Sequence, residues 1–187
     1  MNKVLILVCF TLLVGCANNT QVTNYESKGN LAANNPIVCV SYTSVGSEST
    51  PADIVTGAKD CAKAYKYNEA AELLMVASAY AYFDTQRVTD KTAHDALNAL
   101  FSKEFGFLTE VERIELLSSI DALDNKQPRK SEICAYLISA PLPSYFPDYM
   151  IAQGMGTFTD SSNEPLIKDF NAIEAWSNSM AFIKCSN

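Results

Sequence analysis

Apolar and polar positions along this chain fall into three regimes: a continuous apolar block, a polar stretch, and then helical spacing almost to the end. The block runs from Val4 to Val14, directly behind Lys3. It is shorter than the about 20 residues a helix needs to span a bilayer, and it has the size of a secretory h-region. The polar stretch, ANNTQVTNYESKGNLAANNP from Ala17 to Pro36, has no apolar period and predicts a tether. A flexible coil of some 20 residues has an end-to-end distance of roughly 25 Å. Ile37 to Thr43 (IVCVSYT) is β-branched and aromatic, which predicts a short strand or an extended arm.

Helical spacing begins at Thr50, which can cap a helix with Pro51 at its first position and Asp53 completing a capping box. That helix is expected to run to about Ala64. A second covers Asn68 to Phe83 and is apolar almost all round, so it belongs at the centre. A third is expected from Asp90, with Ala93, Leu97, Leu100 and Phe101 along one face and Gly106 closing it. Thr109 and Glu112 form a capping box for a fourth that ends about Leu123. Ser131 can cap a fifth, stopped by Pro141, and a short turn follows Pro147. A last helix from about Phe170 spaces Phe170, Ile173, Trp176, Met180 and Ile183 along one face. Successive helices with short connections predict an all-α fold, an irregular array of antiparallel helical hairpins behind a short extended N-terminal arm.

The end of the apolar block changes the picture of where the chain resides. Leu13-Val14-Gly15-Cys16 resembles the lipobox of bacterial lipoproteins, an aliphatic residue and small or modest ones before a cysteine. The resemblance implies residues 1–15 as a signal peptide, cleavage before Cys16, and lipidation of that thiol, with residues 16–36 as the lipidated tether and 37–187 as one helical domain. Each buried methylene contributes about 0.8 kcal/mol, so two or three acyl chains hold firmly and the body need not bind lipid itself. Ala17 stands where an aspartate would suggest retention at the inner membrane, so the expected location is the outer membrane, facing the periplasm.

With Cys9 discarded and Cys16 acylated, Cys39, Cys61, Cys134 and Cys185 remain as an even set in an oxidising compartment, which reads as two disulfides. Three connectivities are open. Cys39–Cys61 with Cys134–Cys185 joins neighbouring segments and is the one favoured. No Cys-x-x-Cys spacing suggests a metal. The net charge of −7 over 187 residues becomes one unit more negative once Lys3 is removed. Without a basic cluster, that balance argues against nucleic acid and against an anionic membrane surface as partners.

Tyr65 to Ala77, YKYNEAAELLMVA, resembles the middle of a tetratricopeptide-type repeat, with Tyr67, Ala70 and Ala77 at matching positions. Small residues at Ala70 and Ala77 would let two antiparallel helices approach, with Tyr67 wedged between them. Tyr65 stands where the turn glycine belongs, Ile54 where a Trp is common, and Tyr82 where a closing proline is common. The pattern covers roughly residues 51–84 and does not recur, so it implies one hairpin rather than a solenoid. Members of that family bind peptides through polar residues of the first helix. The matching face here carries Ala52, Val55, Lys59 and Ala62, a poor grip for a peptide carboxylate.

Chemistry-bearing patterns are few. The one histidine, His94, has Asp90 four residues back, but no G-x-S-x-G elbow supplies a nucleophile, and H-E-x-x-H zinc chemistry needs a second histidine. Glu110, Glu112 and Glu115 crowd a helix start, where carboxylates favour the dipole. No catalytic residue, metal or cofactor is assigned. Recognition has one better candidate: APLPSYFPDYMIAQGMGTF, residues 140–158, is dense in proline and aromatics, which reads either as a loop folded over the core with its aromatics buried or as a protein-binding surface with Tyr145, Phe146 and Tyr149 as the first candidates to anchor a partner. The expected function is a non-enzymatic, lipid-anchored scaffold or assembly accessory that binds another protein; the alternative is an immunity lipoprotein neutralising a delivered antibacterial effector.

Overall fold

The computed structural model describes residues 27–125, 128–159 and 164–185. Among these residues the fold is all-α, an irregular array of antiparallel hairpins with seven α-helices: α1 (Pro51–Lys63), α2 (Tyr67–Arg87), α3 (Ala96–Glu104), α4 (Glu110–Asn125), α5 (Arg129–Ser139), α6 (Asp148–Ile151) and α7 (Ala172–Phe182). Two disulfides brace it, Cys39–Cys61 and Cys134–Cys185, the favoured connectivity.

α2 is the central element, as its apolar circumference predicts. It is buried on nearly every side, with α1, α4 and α7 packed against it and α3 lying on α1. Ala70 and Ala77 are fully buried, and α1 and α2 form an antiparallel pair over a three-residue turn. That turn is a Schellman motif: Lys66 N–H donates to Cys61 C=O (2.9 Å) and Tyr65 N–H to Ala62 C=O (2.9 Å). Tyr65 occupies its left-handed position at φ 58°, where glycine is the usual residue. α7 ends on the same device, with Lys184 at φ 58° and Cys185 N–H donating to Met180 C=O.

Both predicted capping boxes form. Asp53 N–H donates to Thr50 Oγ1 (3.2 Å) and Thr50 N–H returns to Asp53 Oδ2 (2.9 Å); Thr109 and Glu112 repeat the arrangement. Other boundaries move. Asp90 caps a 3₁₀ turn, Lys91–Ala93, and α3 starts only at Ala96. α5 starts at Arg129, ahead of Ser131, where the Arg129 guanidinium grips the buried Glu72 of α2 through two bonds (2.6 and 2.9 Å). α7 starts after Asn171, and Ile173 points away from the core that Trp176 and Met180 enter.

Ile37 to Thr43 forms no strand. Residues 35–39 are an arm laid along α1, with Ile37 N–H donating to Asp53 C=O (3.4 Å), Asn35 N–H to Asp53 Oδ1 (2.8 Å), and Cys39 bridged to Cys61, while Tyr42–Ser44 is a 3₁₀ turn packed against α2. Gly57 permits this approach: a Cβ there would stand 2.7 Å from both Ile37 Cγ1 and the Val38 carbonyl oxygen. Residues before 37 also pack into the body. Leu31 is buried and its N–H donates to Tyr149 C=O (3.1 Å), because a leucine within the polar stretch finds an apolar seat. Ala52, Val55 and Ala62 are buried and Lys59 pairs with Glu104, so that face of α1 is covered by its own chain.

Candidate protein-binding surface

The proline- and aromatic-rich segment after α5 is fastened from below by one carboxylate. Asp84, on the last turn of α2, is fully buried and accepts from Tyr145 Oη (2.9 Å) and Tyr149 Oη (2.9 Å) at Oδ2 and from Arg87 Nε (2.8 Å) at Oδ1. The Arg87 guanidinium lies between the Phe83 and Tyr145 rings, 5.0 and 4.9 Å from their centroids. Burial pushes the Asp84 carboxyl up to about 6, against the opposing pull of Arg87 and the bonds it accepts. Burial also holds both phenols well above their ordinary value, with the Asp84 charge adding to it.

Of the two readings of residues 140–158, the buried loop holds for Tyr145 and Tyr149. Tyr145 and Tyr149 are core residues whose rings and hydroxyls are both engaged, so neither presents a surface anchor in this conformation. Phe146 alone of the three lies outward, 56% exposed. The sequence carries a signal for the cluster: an Asp–Arg pair at i, i+3 in a helix otherwise apolar almost all round, and tyrosines at i, i+4 in the facing segment.

His94 and Asp90 do not pair. The His94 ring bonds through Nε2 to the Val88 carbonyl (3.0 Å). Asp90 accepts from Thr92 N–H and Oγ1 (2.9 and 2.6 Å) and from Gly156 N–H (2.7 Å), and these bonds, the Thr92 hydroxyl foremost, lower its pKa. Gly154 packs against the same carboxylate so closely that a Cβ would clash with it. Asp90 thus ties the segment after α6 to the turn before α3. Among the described residues no group of three or more His, Cys, Asp and Glu side chains could hold a metal ion. Cys16 lies outside the described residues, while Cys39, Cys61, Cys134 and Cys185 are all bridged.

The outward surface is more informative. α4 buries Leu116 and Leu123 but leaves Val111, Ile114 and Leu117 at 69, 53 and 54% exposure. Ile120 continues the row to a groove of about 280 Å³ that Met75, Leu123 and Phe182 help to line. Tyr65, at the α1–α2 turn, is 72% exposed despite its left-handed backbone. Phe107, in the turn before α4, is exposed beneath the Lys63 ammonium, 5.5 Å from the ring centroid.

No known protein family, no curated protein and no solved structure matches this chain.

Proposed function

We propose that this chain is a lipid-anchored, non-enzymatic domain that binds another protein in the periplasm, held at the outer membrane through Cys16. The observation that carries the reading is the row of large apolar side chains standing out from α4. Monomeric proteins scatter single apolar residues over their surface, whereas contiguous exposed ones mark interaction sites. They stand on a helix fixed by a capping box and packed on the central α2, so little ordering entropy remains to be lost on binding. The lipobox resemblance of residues 13–16 supports the anchor.

Two measurements test this. Periplasmic crosslinking followed by mass spectrometry should recover a specific protein partner, and recovering none would refute the binding reading. Cys16→Ala should abolish palmitate labelling and release the protein from the membrane fraction. Processing and membrane attachment that persist unlabelled would refute the anchor.

A further inference from the structure

Resting on the protein-binding reading, the α4 surface also specifies the chemistry of its partner. Val111, Ile114, Leu117 and Ile120 recur every third residue, and at 100° per residue this row winds diagonally across the outward side of the helix. Such an i±3n row is one of the two ridges that helices use to interdigitate. The opposite side of α4, carrying Leu116 and Leu123, is the one packed into the body. The row extends about 14 Å along the helix at 1.5 Å per residue, which a partner helix of roughly three turns would cover.

Charge decides what flanks that partner's apolar face. Glu110, Glu115 and Asp121 are exposed beside the row, and among the described residues none of their carboxylates accepts a hydrogen bond or pairs with a cation. Arg113 is the one exposed cation on α4. By contrast, Glu112 is engaged in the Thr109 cap, and Asp124 is held by Lys130 and Lys184. We infer that the outward face of α4 is a docking ridge for a cationic amphipathic helix of another protein. Its leucine-type residues would straddle Ile114 and Leu117, and its lysines or arginines would meet Glu110, Glu115 and Asp121.

An 18-residue Leu/Lys amphipathic helical peptide and its Leu/Glu counterpart serve as probes against the full chain at about physiological ionic strength. The Leu/Lys peptide should bind, shift amide resonances confined to residues 110–121 and the edge at Phe182, and weaken as salt rises. Ile114→Ser with Leu117→Ser should weaken binding at least about tenfold while the melting temperature stays within a few degrees. Glu110→Lys with Asp121→Lys, which leaves every apolar contact in place, should reverse the preference toward the Leu/Glu peptide. Equal binding of both peptides to the wild type, unchanged affinity in both variants, or shifts located elsewhere would overturn the inference. So would tight binding to phosphatidylcholine vesicles with none to peptide, which would assign the ridge to a lipid surface. A photo-crosslinker placed at Leu117 and separately at Phe146 distinguishes the levels. Capture of a protein from Phe146 and not from Leu117 would overturn the α4 assignment and leave the binding reading standing; capture from neither refutes both.

Discussion

Replacing Asp84 by alanine should destabilise the fold more than any other single polar deletion, and the geometry says by how much. The carboxylate is fully buried and receives three hydrogen bonds, from Arg87, Tyr145 and Tyr149. Removing one partner of a buried ion pair costs about 3–5 kcal/mol, because the other charge is left uncompensated. Two buried tyrosine hydroxyls lose their acceptor at the same time, at about 1–3 kcal/mol each when counted singly. These penalties overlap, since the same local opening would rehydrate all three donors. The expected loss is therefore at least about 4 kcal/mol, a large fraction of the 5–15 kcal/mol that domains usually have. Asp84→Asn keeps the shape and one acceptor oxygen, so it should cost less, with the unpaired Arg87 as its main term. Tyr149→Phe, which deletes one donor only, should cost about 1 kcal/mol. Urea unfolding followed by circular dichroism at constant pH ranks the three. A loss below about 1 kcal/mol for Asp84→Ala, or an order in which Tyr149→Phe exceeds it, would refute the view that this carboxylate fastens the segment after α5.

The same group sets a pH dependence. Its folded pKa, about 6, lies above the ordinary value, so the folded state takes up a proton that the unfolded chain leaves in solution. Stability is then gained as pH falls through 6 and lost as pH rises through it, by about 1 kcal/mol between pH 7.5 and 5; Asp84→Asn should remove this slope, and an identical slope in the variant would refute it. Asp90, Glu112 and Asp124, whose pKa values are lowered, work in the opposite sense at lower pH, below the ordinary carboxylate range. Tyr65→Gly should raise stability by about 1 kcal/mol by relieving the left-handed strain at φ 58°, read as a higher urea midpoint. Gly57→Val should destabilise by several kcal/mol, or displace the arm from α1, because even its Cβ would meet Ile37 and the Val38 carbonyl; retention of wild-type stability would refute that close approach.

Where a local rule acted alone, the sequence was legible. Thr50 with Asp53 and Thr109 with Glu112 mark helix starts because their side chains satisfy backbone donors three residues away. The apolar circumference of Asn68 to Phe83 marks the central helix for an equally local reason. Legibility failed where distant segments meet. Asp90 read as a helix start, yet its second oxygen is claimed by Gly156 N–H, 66 positions later, and the helix begins only at Ala96. Tyr145 and Tyr149 could be read as buried or as surface anchors, because nothing near them in the chain announces Asp84, more than 60 positions away. The row on α4 was hidden for a different reason. Its residues mix with the buried Leu116 and Leu123, and periodicity alone cannot tell which apolar side of a helix goes unpaired.

The arm along α1 has a mechanical consequence if the body hangs from the membrane by its N-terminal side. Tension applied at residue 27 would be borne first by Leu31, Asn35 and Ile37, whose hydrogen bonds can be peeled one after another. At Cys39 the peeling meets a covalent stop, and further load passes straight into α1 through Cys61. Under such a load residues 27–38 would act as a short extensible lead ahead of the disulfide, sparing the helices and the surface of α4.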